Sequence, residues 1–168
     1  MIFLTVRGST SKGGFSPRGF SFDCNDDYFN KILSWKDYFE PYDKNVSKDY
    51  ISNKYGIGRF VLYVSRIEPR KNHHKLLKIF FDLKLEDIAL VLIGNSSINN
   101  AEFSKYVNEL TDDQKKLFFH LKNIDEEDLK EFYRACDIFV YPSLAEGFGI
   151  PPLEAAATKS NVICSKST

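Results

Sequence analysis

The chain has 168 residues, and 23 Lys and Arg balance 23 Asp and Glu to a formal net charge of zero, which leaves no electrostatic footprint for nucleic acid or an anionic membrane as main partner. That length suits one domain able to bury roughly 70% of its unfolded surface, and it is too short for two full domains. Three cysteines without a C-x-x-C spacing argue against a disulfide framework or a zinc site and fit a reducing compartment.

Along the chain, Met1 to about Tyr55 carries no sustained periodicity. The opening Met1-Ile-Phe-Leu-Thr-Val6 is broken by Arg7 and Gly8 too early for the core of a signal peptide, and no apolar run reaches 18 residues. A soluble, cytoplasmic chain is the expectation. The glycines between Lys12 and Gly19 lack the Gly-Lys-Ser/Thr ending of a phosphate-binding loop and read as a turn. From Gly58 onward strands and helices alternate. Phe60–Val64 reads as a buried strand, and the next helix runs from about His73 to Leu83, with Leu76, Leu77, Phe80 and Leu83 at helical spacing and Asn72 placed to cap it. Ile88–Ile93 reads as a strand ending at Gly94, Ala101–Leu110 as a helix and Leu117–Phe119 as a short strand. Asp125 and Asp128 mark a capping-box-like start to a helix whose Leu129, Phe132, Tyr133 and Cys136 form one apolar stripe. Strand Ile138–Tyr141, a helix after Pro151 and strand Asn161–Cys164 follow. This rhythm predicts an α/β fold, a Rossmann-like parallel sheet flanked by helices on both faces, with ligands beyond the carboxyl ends of the strands.

Two strand-to-helix turns carry the chemistry. In Glu146-Gly-Phe-Gly-Ile-Pro-Pro-Leu-Glu154, Gly147 and Gly149 allow close backbone approach, and Pro151 and Pro152 suit a first helical turn. Loop amides and a helix end carrying about half a positive charge favour an anion there, while the two glutamates accept hydrogen bonds from sugar or ribose hydroxyls. Upstream, strand Phe60–Val64 opens into a basic loop with Arg66, Arg70 and Lys71. His73 and His74 point about 100° apart on a helix and do not converge on one metal, so surface or helix-start roles and no bound metal are expected. No G-x-G-x-x-G follows any strand, which disfavours a dinucleotide oxidoreductase.

The spacing of Glu146 and Glu154 around Gly147-Phe148-Gly149 resembles the E-x7-E motif of the retaining glycosyltransferases of family 4, whose fold is called GT-B. The segment Phe60 to Asn72 is similar to that family's first donor-domain turn. The resemblance covers roughly Gly58 to Ser165 and implies a donor-binding C-terminal domain, apparently truncated, in which residues 1–57 are a poorly defined segment and linker and residues 58–168 bind a nucleotide sugar. It implies transfer of a sugar from a UDP- or GDP-linked donor to an acceptor hydroxyl with retention, without cofactor or metal. By motif position Arg66 and Lys71 would grip the diphosphate, Glu146 would orient the sugar, Gly147, Phe148, Gly149 and Ile150 would supply loop contacts and Glu154 would hold the ribose; Glu146, Arg66 and Lys71 would be the catalytic set. Implied partners are the nucleotide sugar, an acceptor glycan, lipid or small molecule, and a missing N-terminal acceptor domain, with peripheral membrane association in the complete form. A non-catalytic nucleotide-sugar-binding or partner-associating module is the alternative. Three departures stand out. Ser65 replaces a common glycine, and the segment His120 to Ile124 lacks a glycine where the family contacts the base. Lys159 occupies a helix end where a glycine is usual, at about 1 kcal/mol if left-handed.

Overall fold

The computed structural model describes residues 2–4, 40–96, 100–146 and 149–165. Strands β2 (Phe60–Val64) and β3 (Ala89–Ile93) are uninterrupted apolar runs, buried from end to end except for a half-buried Val64. Such runs mark strands covered on both faces. They pair in parallel, Leu62 opposite Val91, while Leu62 also faces Phe139 of β5 (Ile138–Tyr141). Strands β4 (Phe118–Leu121) and β6 (Asn161–Cys164) extend the parallel sheet at its two ends, and β1 (Ile2–Leu4) adds antiparallel to β6. The resulting order is β1-β6-β5-β2-β3-β4. Among the described residues, parallel strands β3 and β4 lie on one side of β2 and β5 and β6 on the other; crossovers between parallel strands are right-handed as a rule, which puts the helices of the two halves on opposite faces.

The helices are α1 (Lys44–Tyr55), α2 (His73–Asp82), α3 (Ala101–Asn108), α4 (Asp112–Lys116), α5 (Glu126–Ala135) and α6 (Ile150–Ala157). Helix α2 packs beside α3, whereas α5 touches both α1 and α6. The periodicity suggested one helix to Leu110, but it stops at Asn108. Thr111 and Gln114 form a reciprocal capping box that starts α4 and delays β4 to Phe118.

Residues 44–55, where the charged stretch ending in Lys54-Tyr55-Gly56 resembles the family's linker and short helix, form a helix capped by Asp43 and stopped by Gly56 at φ 68°. Its anchor is Asp128, whose backbone N–H donates to Asp125 as the sequence suggests, at 2.8 Å. The Asp128 carboxylate does not return the cap. It turns to α1 and accepts from Tyr50 Oη at 2.6 Å, Lys54 Nζ at 2.7 Å and Tyr55 Oη. Burial raises the Asp128 pKa, but these three hydrogen bonds outweigh it and hold the carboxyl below its ordinary value.

His73 opens α2 as expected, but it is wholly buried rather than on the surface. Its ring stacks on Tyr63 at 4.6 Å, and burial pushes its pKa down to about 3. Cys136 is buried in the core and Cys164 half-buried; Cys24 and the Lys12–Gly19 turn lie outside the described residues.

Two backbone positions set local geometry. Lys159 does adopt the left-handed conformation, φ 57°. Bonds from Ser160 N to Ala155 O and from Lys159 N to Ala156 O complete a Schellman ending to α6. Lys159→Gly should therefore raise stability by about 1 kcal/mol, read as a melting temperature about 2–4 °C higher; an unchanged or lower value would show that the lysine carries no conformational cost. Gly94, φ 150°, lies where β2 and β3 end side by side, and a Cβ there would sit 2.1 Å from the Ser65 carbonyl oxygen. Gly94→Ala should lose about 1–3 kcal/mol, because the clash is with backbone. Denaturant unfolding with an unchanged midpoint would refute that.

Candidate functional site

Both chemically interesting loops leave the sheet at the point where its strand order reverses, β2 and β5 being neighbours whose next strands lie on opposite sides. Loops at such a point diverge and leave a crevice. After β2 come Ser65 and Arg66, then a 3-10 turn over Pro69–Lys71 that ends on Asn72 at φ 63°. Proline suits the opening of that turn because its missing N–H would lack a partner anyway. Asn72 precedes α2 without capping it. Its side-chain amide instead donates to the Pro142 carbonyl in the loop after β5, at 3.2 Å.

Further bonds stitch the two loops together. Leu144 N donates to the Arg70 carbonyl at 2.9 Å, and Arg70 Nη1 donates to the Ala145 carbonyl at 2.9 Å. Arg70 Nε holds Glu68 at 2.9 Å. From beneath, the buried Tyr63 hydroxyl donates to the Lys71 carbonyl at 2.8 Å. The Lys71 side chain is thereby aimed at Glu146, with Nζ 2.5 Å from both carboxylate oxygens. Their side chains are only 9% and 10% exposed. Burial raises the Glu146 pKa, but hydrogen bonds from Lys71 and Ser143, together with the Lys71 charge, more than reverse that. Its carboxyl lies below the ordinary range and is ionised at neutral pH.

These groups line a cleft of about 460 Å³ together with Arg66, Gly149, Ile150 and Glu154. Arg66 is exposed, and among the described residues no carboxylate pairs with it. Glu154, half-buried on α6, accepts from the Tyr133 hydroxyl at 2.8 Å. Gly149 sits in a left-handed conformation, φ 67°, immediately before α6. Pro151 and Pro152 remove two first-turn donors, so Gly149 and Ile150 supply the N–H groups that remain there. Gly147 and Phe148 lie outside the described residues. A second cleft of about 260 Å³ shares Ser65, Arg66 and Pro151 with the first and is completed by Gly94, Asn123 and Ile124. Arg66 stands between the two.

The site thus brings together Arg66, Lys71, Glu146, Gly149, Ile150 and Glu154. Sequence reasoning missed Arg70 as the fastener of the loops and Tyr133 as the partner of Glu154. Their spacing carries no signal, because each acts across the fold. Among the described residues no group of three or more His, Cys, Asp or Glu could hold a metal, and no helix is long and apolar enough to cross a membrane.

Comparison with known proteins finds relatives in sequence and in fold. Two curated relatives are O-antigen chain mannosyltransferase B of Escherichia coli, 35% identical over 112 residues, and O-antigen chain mannosyltransferase RfbU of Salmonella typhimurium, 32% identical over 123 residues. These alignments cover 65% and 72% of this chain but 29% and 33% of the relatives, so the chain spans about a third of their length. The C-terminal domain of a glycosyl transferase group 1 family protein from Francisella tularensis superposes with a TM-score of 0.65 at 25% identity, over 79% of this chain and 70% of that one. Anabaena HepE, solved in complex with UDP-glucose, superposes with a TM-score of 0.63 at 19% identity, over 75% of this chain and 37% of its own, and so speaks for the fold alone. Residues 47–168 match the family model described as glycosyl transferases group 1. Because that match spans well over half of the chain and takes in both loops of the cleft, the protein belongs to the group 1 glycosyltransferase family.

Proposed function

We propose that this chain is the donor-binding half of a retaining glycosyltransferase that moves a sugar from a UDP- or GDP-linked donor to an acceptor hydroxyl. The observation that carries the reading is the placement of Arg66, an exposed cation with no carboxylate partner among the described residues, between two adjoining clefts. One cleft, walled by Gly94, Asn123 and Ile124, suits the nucleoside end. The other, with Lys71, Glu146 and Glu154, suits sugar and ribose hydroxyls. The diphosphate would lie where the clefts meet, with Arg66 and Lys71 compensating the charge that grows on the leaving group as the glycosidic bond breaks. Glu146 would accept from the sugar hydroxyls, Glu154 from the ribose, and the Gly149 and Ile150 amides would face the donor. No protein nucleophile is assigned, because both Glu146 oxygens face Lys71. Same-face attack guided by the departing phosphate fits these residues. No cofactor is assigned beside the donor. Hexose transfer onto a growing glycan is favoured by relatives that are O-antigen chain mannosyltransferases, and HepE shows a nucleotide sugar bound by a protein of this fold. The acceptor wall would come from a second domain, whose closure excludes water from the activated sugar.

Arg66→Ala and Lys71→Ala should each weaken UDP or GDP binding by about ten-fold or more, as expected for loss of one charge-assisted contact. Arg66→Ala should leave the melting temperature unchanged, whereas Lys71→Ala should lower it, because Glu146 is left buried without its cation. Calorimetry and a thermal melt on each variant give both readouts. Undiminished nucleotide affinity in both variants would remove the diphosphate from this position.

A further inference from the structure

Lys71 and Glu146, which the proposed function assigns to different parts of the donor, are bonded to each other within the cleft, at 2.5 Å to both carboxylate oxygens and with side chains about nine-tenths covered. Lys71 cannot give its full charge to a diphosphate while it holds both of these oxygens. If it turns away, Glu146 keeps hydrogen bonds from the neutral Ser143 and Tyr141 hydroxyls, but its remaining cation is Arg70 Nη1 at 3.7 Å, half-exposed and already engaged with Glu68 and the Ala145 carbonyl. A covered carboxylate stripped of its main cation is costly unless new donors reach it.

We propose that Glu146 is a specificity-determining residue that biases the cleft against bare nucleoside diphosphate and towards the sugar-bearing nucleotide by ion-pair exchange. Lys71 passes from the carboxylate to the diphosphate, and sugar hydroxyls take its place on Glu146. A nucleotide sugar brings O–H donors to the carboxylate in the same event that removes the lysine. A bare nucleoside diphosphate brings negative charge alone, so its binding leaves Glu146 under-bonded and close to a like charge. Substrate therefore satisfies both halves of the broken pair, whereas product satisfies one. The bias favours product departure after the sugar has left. No covalent bond changes in the exchange. This inference rests on the reading of the cleft as a nucleotide-sugar site.

The test is calorimetry on the full chain with inorganic pyrophosphate, UDP, GDP, UDP-glucose and GDP-mannose, comparing the parent with Glu146→Gln and Glu154→Gln. Glu146→Gln should bind pyrophosphate and the nucleoside diphosphates about ten-fold more tightly than the parent, the scale of one released charge-assisted contact. Its ratio of sugar-nucleotide to nucleoside-diphosphate affinity should fall by a similar factor. Glu154→Gln removes an equal charge from the same cleft without freeing Lys71, and its pyrophosphate affinity should stay within about two-fold of the parent. Should Glu146→Gln fail to fold in a thermal melt, Glu146→Ala gives the same readout. Nucleotide binding by the parent with no gain in the Glu146 variant, or an equal gain in Glu154→Gln, overturns the exchange and leaves the donor site standing. A parent that binds neither pyrophosphate nor any nucleotide overturns both.

Discussion

Right-handed crossovers let a parallel sheet grow in one direction only until the chain returns to its starting strand and builds outward on the other side. Here β2, β3 and β4 grow one way, and β5 and β6 grow the other. The return after β4 makes β2 and β5 neighbours, so their carboxyl ends open side by side while the helices that follow them depart to opposite faces. The crevice follows from chain topology before any side chain is chosen. The sequence then furnishes it with a basic loop on one wall and an acidic loop on the other.

The electrostatics of the crevice are graded. Overall the chain is neutral, so long-range steering of an anionic ligand is weak. Locally, Arg66 is exposed and unpaired by any described carboxylate, Arg70 is half-exposed and occupied by Glu68 and a carbonyl, and Lys71 is covered and held by Glu146. Three cations within six residues thus differ in availability. An anion entering the crevice would meet the exposed one first and the covered one last.

Strand identity was legible because β2, β5 and β6 are short apolar runs bounded by polar or turn residues, and their predicted bounds match the observed ones to the residue. Helix α4 and the late start of β4 were missed because the capping box at Thr111 and Gln114 interrupts an otherwise plausible helical pattern. The motif residues Arg66, Lys71, Glu146 and Glu154 do converge on one cleft. What could not be read was pairing across distance. Asn72 looks like a helix cap until Pro142 stands opposite it, Asp128 looks like half of a capping box until α1 docks against it, and Arg70 looks like a solvated loop charge until the second loop is in place. Each of these polar groups has a partner elsewhere in the fold that local spacing does not reveal.

The stitching between the two loops has an evolutionary consequence. Arg70 and Ala145 lie 75 positions apart in the chain, yet bonds run in both directions between their segments, side chain to backbone and backbone to backbone. Residues sharing such a network do not contribute independently, and their substitutions depart from additivity by about 0.5–3 kcal/mol. The basic loop and the acidic loop therefore form one unit of epistasis. A change that alters the pitch of the Pro69–Lys71 turn moves the segment that carries Glu146, and a compensating change is to be sought across the crevice rather than along the strand. In relatives with a different loop after β5, the basic segment would have to be transplanted with it for either to keep its geometry.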